Sequence, residues 1–184
     1  MNSDVQIAAA VAAIRAGGVI AYPTEAVYGL GCDPFNSEAV ARLFALKQRP
    51  SDVGVLLIAA DFPQVEPFID APADAVARAK AGWPGPQTWV FPRSQATPAW
   101  LTGSHTGIAL RVTAHPVASA LCRAFGGALV STSANRHGEA PARNAAEARA
   151  IFRSGLAFVV EGDVGGLERP TPIRDAISGE MVRS

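Results

Sequence analysis

Short apolar runs, most of them closed by glycine or proline, alternate with alanine-rich stretches of helical period along almost the whole chain. Period and length separate the two kinds of element. Ser3 to Arg15 reads as a helix with Val5, Ala8, Ala9, Ala12 and Ala13 on its small-residue face, stopped by Gly17-Gly18. Val19 to Tyr22 is a short buried strand ending at Pro23. A second helix fits Ser37 to Lys47, with Ser37 as N-cap and Val40, Leu43, Phe44 and Lys47 at helical spacing. Val53 to Ala60 is expected as an interior strand, and Asp61 to Ile69 and Ala73 to Ala81 as short helices. Gly82, Pro84, Gly85 and Pro86 force a rigid loop before strands at Thr88–Phe91 and Ile108–Val112. His115-Pro116 opens a helix to Phe125, and Ala128 to Val130 is a strand leading into a polar turn. Asn144 caps a helix through Phe152, Phe158 to Val160 is a strand, and short segments remain around Ile173 and at Met181-Val182. Strands alternating with helices predict an α/β fold with a largely covered sheet.

With 184 residues, no internal repeat and no linker-like stretch, the chain is expected to form one domain over 1–184. Hydrophobic residues make up 49% and charged ones 17%, which excludes a disordered chain. Since 36 of the residues are alanine, the bulky core is smaller than that fraction implies. No apolar run, Val55 to Ala60 included, approaches the roughly 20 residues of a membrane span, and Met1 to Asp4 do not resemble a signal peptide. A cytoplasmic location and no membrane partner are the expectation. Cys32 and Cys122 lie far apart and outside any ligand spacing, so they read as buried reduced thiols, and no protein-bound metal site is expected.

Three segments could carry chemistry. Pro23-Thr24-Glu25-Ala26-Val27-Tyr28-Gly29-Leu30-Gly31 follows a buried strand, where open α/β sheets bind ligands. The same residues would equally make an ordinary Pro-Thr turn whose hydroxyl satisfies its own backbone. In Lys47-Gln48-Arg49-Pro50, Pro50 keeps Arg49 out of the helix, so both cations can reach one cleft. Lys47 alone is explained as a complement to the helix dipole, but Arg49 is not, and a point charge beside a planar fork suits a polyphosphate. Ser131-Thr132-Ser133-Ala134-Asn135 offers hydroxyls and an amide at a strand end, as a ligand site or as a Ser/Thr turn. Arg111, on an otherwise apolar strand, calls for a specific anionic partner. His105, His115 and His137 lack ligand spacing and read as surface or capping residues.

Together these motifs resemble the YrdC/TsaC family of threonylcarbamoyl-AMP synthases, in its short bacterial form. The resemblance rests on Pro-Thr-Glu…Tyr-Gly-Leu-Gly, Lys47-x-Arg49-Pro50, Trp83-Pro84-Gly85-Pro86-x-Thr88, Ala109-x-Arg111-Val112-x-x-His115-Pro116, Ser131-Thr132-Ser133-Ala134-Asn135 and Pro172-Ile173-Arg174-Asp175, in the family's order. It implies a single-domain, twisted, open mixed sheet flanked by helices around a large concave cavity. The implied reaction condenses L-threonine, bicarbonate and ATP, with Mg²⁺, into threonylcarbamoyl-adenylate and pyrophosphate for the t6A modification of tRNA. By similarity Thr24, Arg111, Ser131 and Thr171 would contact threonine, Arg111 through its carboxylate. Lys47, Arg49, Thr88, Ser133, Asn135, Pro141 and Arg183 would serve the nucleotide and its phosphates. No residue is assigned as acid or base. Downstream threonylcarbamoyl-transferase proteins are the implied partners.

Two departures stand out: Val53 where the family commonly has a further lysine, and Ala26 where it commonly has a second threonine. Val53 keeps open a non-catalytic RNA-binding or ribosome-maturation module of the same fold. A hydrogenase-maturation type of carbamoyl-adenylate chemistry lacks its companion segments here. The zero net charge conceals a segregated pattern, because no Asp or Glu occurs from Ala75 through Gly138 while Arg78, Lys80, Arg93, Arg111, Arg123 and Arg136 do. Were those cations to line one concave face, ATP and a tRNA or other RNA backbone would be drawn to it.

Overall fold

The computed structural model describes residues 3–168 and 171–183. Within them one mixed sheet is built from β1 (Ile20–Pro23), β2 (Tyr28–Gly31), β3 (Leu56–Ala59), β4 (Thr88–Pro92), β5 (Gly107–Val112), β6 (Leu129–Ser133), β7 (Phe158–Val159), β8 (Ile173–Asp175) and β9 (Met181–Arg183). Their order is β7-β1-β2-β6-β3-β5-β4-β8-β9. Three neighbouring pairs, β7–β1, β3–β5 and β4–β8, are parallel and the others antiparallel. The helices are α1 (Ser3–Arg15), α2 (Ser37–Lys47), α3 (Ala73–Lys80), α4 (Ala99–Thr102), α5 (Pro116–Phe125) and α6 (Ala145–Phe152). Among the described residues no helix is long and apolar enough to cross a membrane.

Because successive strand side chains point to opposite faces, each buried strand feeds two cores. Ile20, Tyr22, Ile58 and Leu129 pack beneath α1 and α5, against Ile7, Ala10, Val11, Ile14, Ala118 and Leu121. Ala21, Leu57, Ile108, Leu110 and Val130 face the other way, toward Val40, Leu43 and Phe44 of α2 and Ala148 and Phe152 of α6. The buried face of α1 is therefore Ile7, Ala10, Val11 and Ile14 rather than the expected stripe of Val5 and alanines, and Val5 is exposed. Energetics explain the correction. Burying an isoleucine side chain contributes about 1.5–3 kcal/mol and one methyl group far less, so the two isoleucines set the helix's rotation.

Other boundaries differ for local reasons. Asn36, not Ser37, caps α2, its Oδ1 accepting from the Ala39 N–H at 3.0 Å. The expected Val53–Ala60 strand is shortened: Ser51–Val53 form a 3-10 turn, Gly54 has φ +70°, and β3 begins at Leu56. Pro63 and Pro67 lack the N–H a continuous helix needs, and Asp61–Ile69 breaks into two 3-10 turns, Phe62–Gln64 and Glu66–Phe68. Two further differences matter for function. Tyr28–Gly31 is a strand and not a loop, and β6 continues through the supposed polar turn to Ser133. Glycines disguised β2, since glycine is depleted in strands. At Gly31 it is required, because a Cβ there would lie 2.6 Å from the Val130 carbonyl oxygen.

Candidate functional site

A cavity of about 800 Å³ opens on the sheet face that α1 and α5 cover elsewhere. Its floor follows one row of cross-strand partners. Ser131 pairs with Leu56, Leu56 with Ala109, Ala109 with Val90, and Val90 with Asp175, and all five residues line the cavity. The next row carries Leu129, Ile58 and Arg111. Leu129 and Ile58 are covered by the two helices, whereas Arg111, two residues along β5 from Ala109, emerges into the cavity. The β5 strand thus presents Ile108 and Leu110 to the core and Arg111 to the site, as its alternation requires.

Arg111 is only 4% exposed. Its Nη1 donates to Thr171 Oγ1 at 2.7 Å, and its Nη2 lies 3.4 Å from Glu25 Oε2. Its Nε has no hydrogen-bond partner despite burial. The anionic partner that the strand pattern demanded is therefore, in this structure, the protein's own Glu25. The Glu25 Oε1 accepts from the Thr113 hydroxyl at 2.6 Å, and the Thr113 oxygen accepts from the His115 N–H at 3.1 Å. Thr24 and Ala26 line the cavity on either side of Glu25, which does not. The Thr24 hydroxyl donates to the Val27 carbonyl at 2.7 Å, the turn bond that the sequence left as one of two readings. Thr88 also lines this end. One register step beyond the Trp89–Leu110 pair, it comes beside Arg111, and its Oγ1 is buried without a partner.

At the other end Arg49 lines the cavity and donates to Thr132 Oγ1 at 3.4 Å and to the Gly54 carbonyl at 3.1 Å. Burial, then the nearby Arg183 charge, lowers the Arg49 pKa. Arg183, on β9, lines the rim, with Ser133, Asn135 and Pro141 across from it in sequence order but in the same cavity wall. Ser131, Ser133 and Asn135 belong together because β6 continues, so Ser131 and Ser133 share a face. Lys47 is not part of the wall. Its Nζ is buried behind it, donating to the carbonyls of Ser133 and Asn135, the latter at 2.8 Å, and so braces the turn that carries them. Burial and then Arg49 hold the Lys47 ammonium down to about 8. Val53 and Ala26, the two departures, both face the cavity.

Among the described residues, only Arg111 of the six cations in the acid-free middle lines the cavity. Arg78 donates to the Ala176 and Ile177 carbonyls, Lys80 stands 4.4 Å over the Phe62 ring, Arg93 reaches Thr102 Oγ1, and Arg136 reaches the Ile151 carbonyl. A basic concave face formed by that stretch is therefore not what the fold builds. Two of its arginines, Arg78 and Arg136, serve instead as tethers for carbonyls. His105 and His137 are exposed, but His115 is 5% exposed, and its Nε2 sits 3.1 Å from the Asp163 carbonyl. Cys32 and Cys122 are free and buried, and burial pushes both thiols up to about 12. Among the described residues no group of three His, Cys, Asp or Glu side chains could hold a metal ion.

Sequence reasoning missed the clasp behind the site. The Gly165 N–H donates to the Thr24 carbonyl and the Leu167 N–H to the Glu25 carbonyl, while the Tyr28 hydroxyl meets the carbonyls of Val160 and Gly162. The glycines of 162–166 were its only signal in the sequence.

The Sua5_yciO_yrdC family model, described as "Telomere recombination", matches residues 12–184. The chain is 56% identical over 175 residues to the threonylcarbamoyl-AMP synthase of Halorhodospira halophila (strain DSM 244 / SL1), covering 95% of this chain and 92% of that one. It is 54% identical over 176 residues to the threonylcarbamoyl-AMP synthase of Coxiella burnetii (strain RSA 493 / Nine Mile phase I), covering 95% and 94%. The solved structure of P. abyssi Sua5 complexed with L-threonine matches with a TM-score of 0.88 at 31% identity, over 95% of this chain and 52% of that chain. The present chain thus spans about half the length of that solved relative.

Proposed function

The chain belongs to the Sua5/YciO/YrdC family and its activity is the synthesis of threonylcarbamoyl-AMP, and we propose that the cavity divides the substrates between its two arginine ends. L-Threonine would take the Arg111 end, with its carboxylate on the guanidinium and Thr24, Thr88, Ser131 and Thr171 around it. ATP would take the end of Arg49 and Arg183, with Ser133, Asn135 and Pro141 against the nucleotide. Lys47 would act from behind, by holding the 133–135 turn in place.

One observation carries the threonine assignment. Arg111 Nε is a buried donor in the cavity wall with no hydrogen-bond partner, next to Thr88 Oγ1 in the same condition. Unpaired buried donors cost about 1–3 kcal/mol each, a cost that an incoming carboxylate would remove. A guanidinium, with its donors fixed in one plane, suits a carboxylate better than a point charge would.

The chemistry follows from that placement. The threonine amine attacks the bicarbonate carbon, the C–OH bond breaks as hydroxide leaves and takes up the amine proton to become water, and an oxygen of the resulting carbamate then attacks the α-phosphorus as pyrophosphate leaves. Each step joins anions, so orientation and charge neutralisation are what the protein must supply. Mg²⁺ would enter with ATP on its phosphates and offset their charge. The one acid lining the described wall, Asp175, has its Oδ1 engaged by the Ile177 and Ser178 N–H groups. The product is a reactive mixed anhydride, and we assign its consumption to a downstream threonylcarbamoyl-transferase acting on tRNA in the cytoplasm.

Replacing Arg111 with Ala is expected to raise the KM for L-threonine at least about tenfold, the weight of a charged hydrogen bond, while the KM for ATP stays within about twofold. Arg111→Lys, which keeps the charge and loses the fork, should fall between. Equal rises in both KM values, or none in that for threonine, would overturn the assignment.

A further inference from the structure

We infer that Glu25 is a specificity-determining residue that reserves Arg111 for a single carboxylate and turns polyphosphate away from it. The inference rests on the reading of Arg111 as the threonine carboxylate site and asks what keeps the two substrates apart. The charged residues of the described wall are Arg49, Arg111, Arg183 and Asp175. Any of the three arginines would suit a phosphate. In a cavity of about 800 Å³, nothing about guanidinium chemistry alone tells ATP which one to leave free.

Their surroundings do. The hydrogen bonds of Arg49 go to neutral oxygens, those of Thr132 and Gly54, and its nearest charge influence is another cation, Arg183. Among the described residues, Arg111 alone of the three is given a carboxylate, with Glu25 Oε2 at 3.4 Å. Both side chains are buried, at 5% and 9% exposure, so salt screens their interaction little. Glu25 stands behind Arg111, out of the cavity, and cannot swing in. Its Oε1 is fixed by Thr113, and its main chain is held by Leu167, with Gly165 so close that a Cβ would lie 2.9 Å from the Glu25 Cα.

The consequence is a guanidinium with directional donors and little net field. A monoanionic carboxylate gains a directional hydrogen bond from the unpartnered Nε, which does not depend on net charge. A polyphosphate, whose affinity comes from summed charge, gains little from a neutralised pair and meets the like charge of Glu25 at short range, which opposes its binding. Arg49 and Arg183, with no such acid behind them among the described residues, keep their field for the triphosphate.

Inorganic tripolyphosphate is the probe, titrated against the full-length enzyme at varied ATP and at varied L-threonine. Wild-type inhibition is expected to be competitive with ATP and not with threonine. In Glu25→Gln, which keeps an acceptor for Thr113 but removes the charge, tripolyphosphate should also become competitive with threonine, with an inhibition constant roughly tenfold lower in that assay or less still. Glu25→Asp, which keeps the charge, should retain the wild-type pattern. Competition with threonine in the wild-type enzyme would overturn the inference without recourse to any variant. So would a Glu25→Gln enzyme that merely shows a raised KM for threonine, since that is what a purely structural ion pair would give. Failure of the underlying site is read separately, from an unchanged threonine KM in Arg111→Ala.

Discussion

Lys47 and Arg111 were both singled out by their place in the sequence, and the structure gives them opposite circumstances. Arg111 is buried with a carboxylate beside it, while Lys47 is buried against carbonyls with another cation near. That difference has a measurable consequence for Lys47. At pH 7 its ammonium is charged in folded and unfolded chains alike, and the folded chain bears the full cost of burying it. Between about 8 and the ordinary 10.5 the folded chain has released a proton that the unfolded chain still holds, so this residue's contribution to stability rises with pH through that window. Urea denaturation of the wild type and of Lys47→Met at pH 8 and pH 10 should show the wild type gaining on the variant. A pH-independent difference between them would contradict the burial assigned to Lys47.

At the scale of elements, the site depends on where β6 ends and on what holds the loop after β1. The clasp formed by residues 160–167 is tight at Gly165, where a Cβ would meet the Glu25 Cα and carbonyl oxygen at 2.9 Å, and backbone cannot give way as a side-chain end can. Gly165→Ala is expected to cost about 1–3 kcal/mol in urea unfolding and to raise the KM for threonine more than that for ATP, because the displaced residue is the partner of Arg111. An unchanged threonine KM alongside lost stability would detach the clasp from the site. These elements also mark how far the sequence could be read. Helices α2, α5 and α6 were legible from period and terminators, and strands β4 and β5 from apolar runs. The stretch Ser131 to Ser133 was not legible as strand, since hydroxyl residues satisfy either a turn or a ladder, and pairing with Gly29 and Leu30 of an equally disguised β2 decided it. Thr24, Ser131, Ser133 and Asn135 were found as candidates by their place after a buried strand, and Arg49 and Arg111 because a cation past a helix end or on an apolar strand calls for a partner. Glu25's bond to Thr113 spans 88 residues of sequence and follows only from the fold.

For the molecule as a whole, neutrality hides an arrangement, though not the one that the acid-free middle implied. Two of those cations, Arg78 and Arg136, tether carbonyls, and the arginines of the described wall come from three distant places, just past α2, near the end of β5 and the last strand. Their exposures differ as well, with Arg111 buried and Arg183 exposed at the rim. Since solvent-exposed charges are screened and buried ones much less so, raising salt from about 0.1 M to 1 M should raise the KM for ATP by a larger factor than that for L-threonine. Equal sensitivity would mean that the two substrates meet similarly exposed charges. The central claim is that the cavity separates a carboxylate end from a polyphosphate end, and a crystal structure of this protein with L-threonine bound tests it most directly. The expected result is the threonine carboxylate on Arg111, satisfying Nε, with Arg49 and Arg183 left free. Threonine bound with its carboxylate on Arg49, or outside the cavity, would contradict the account.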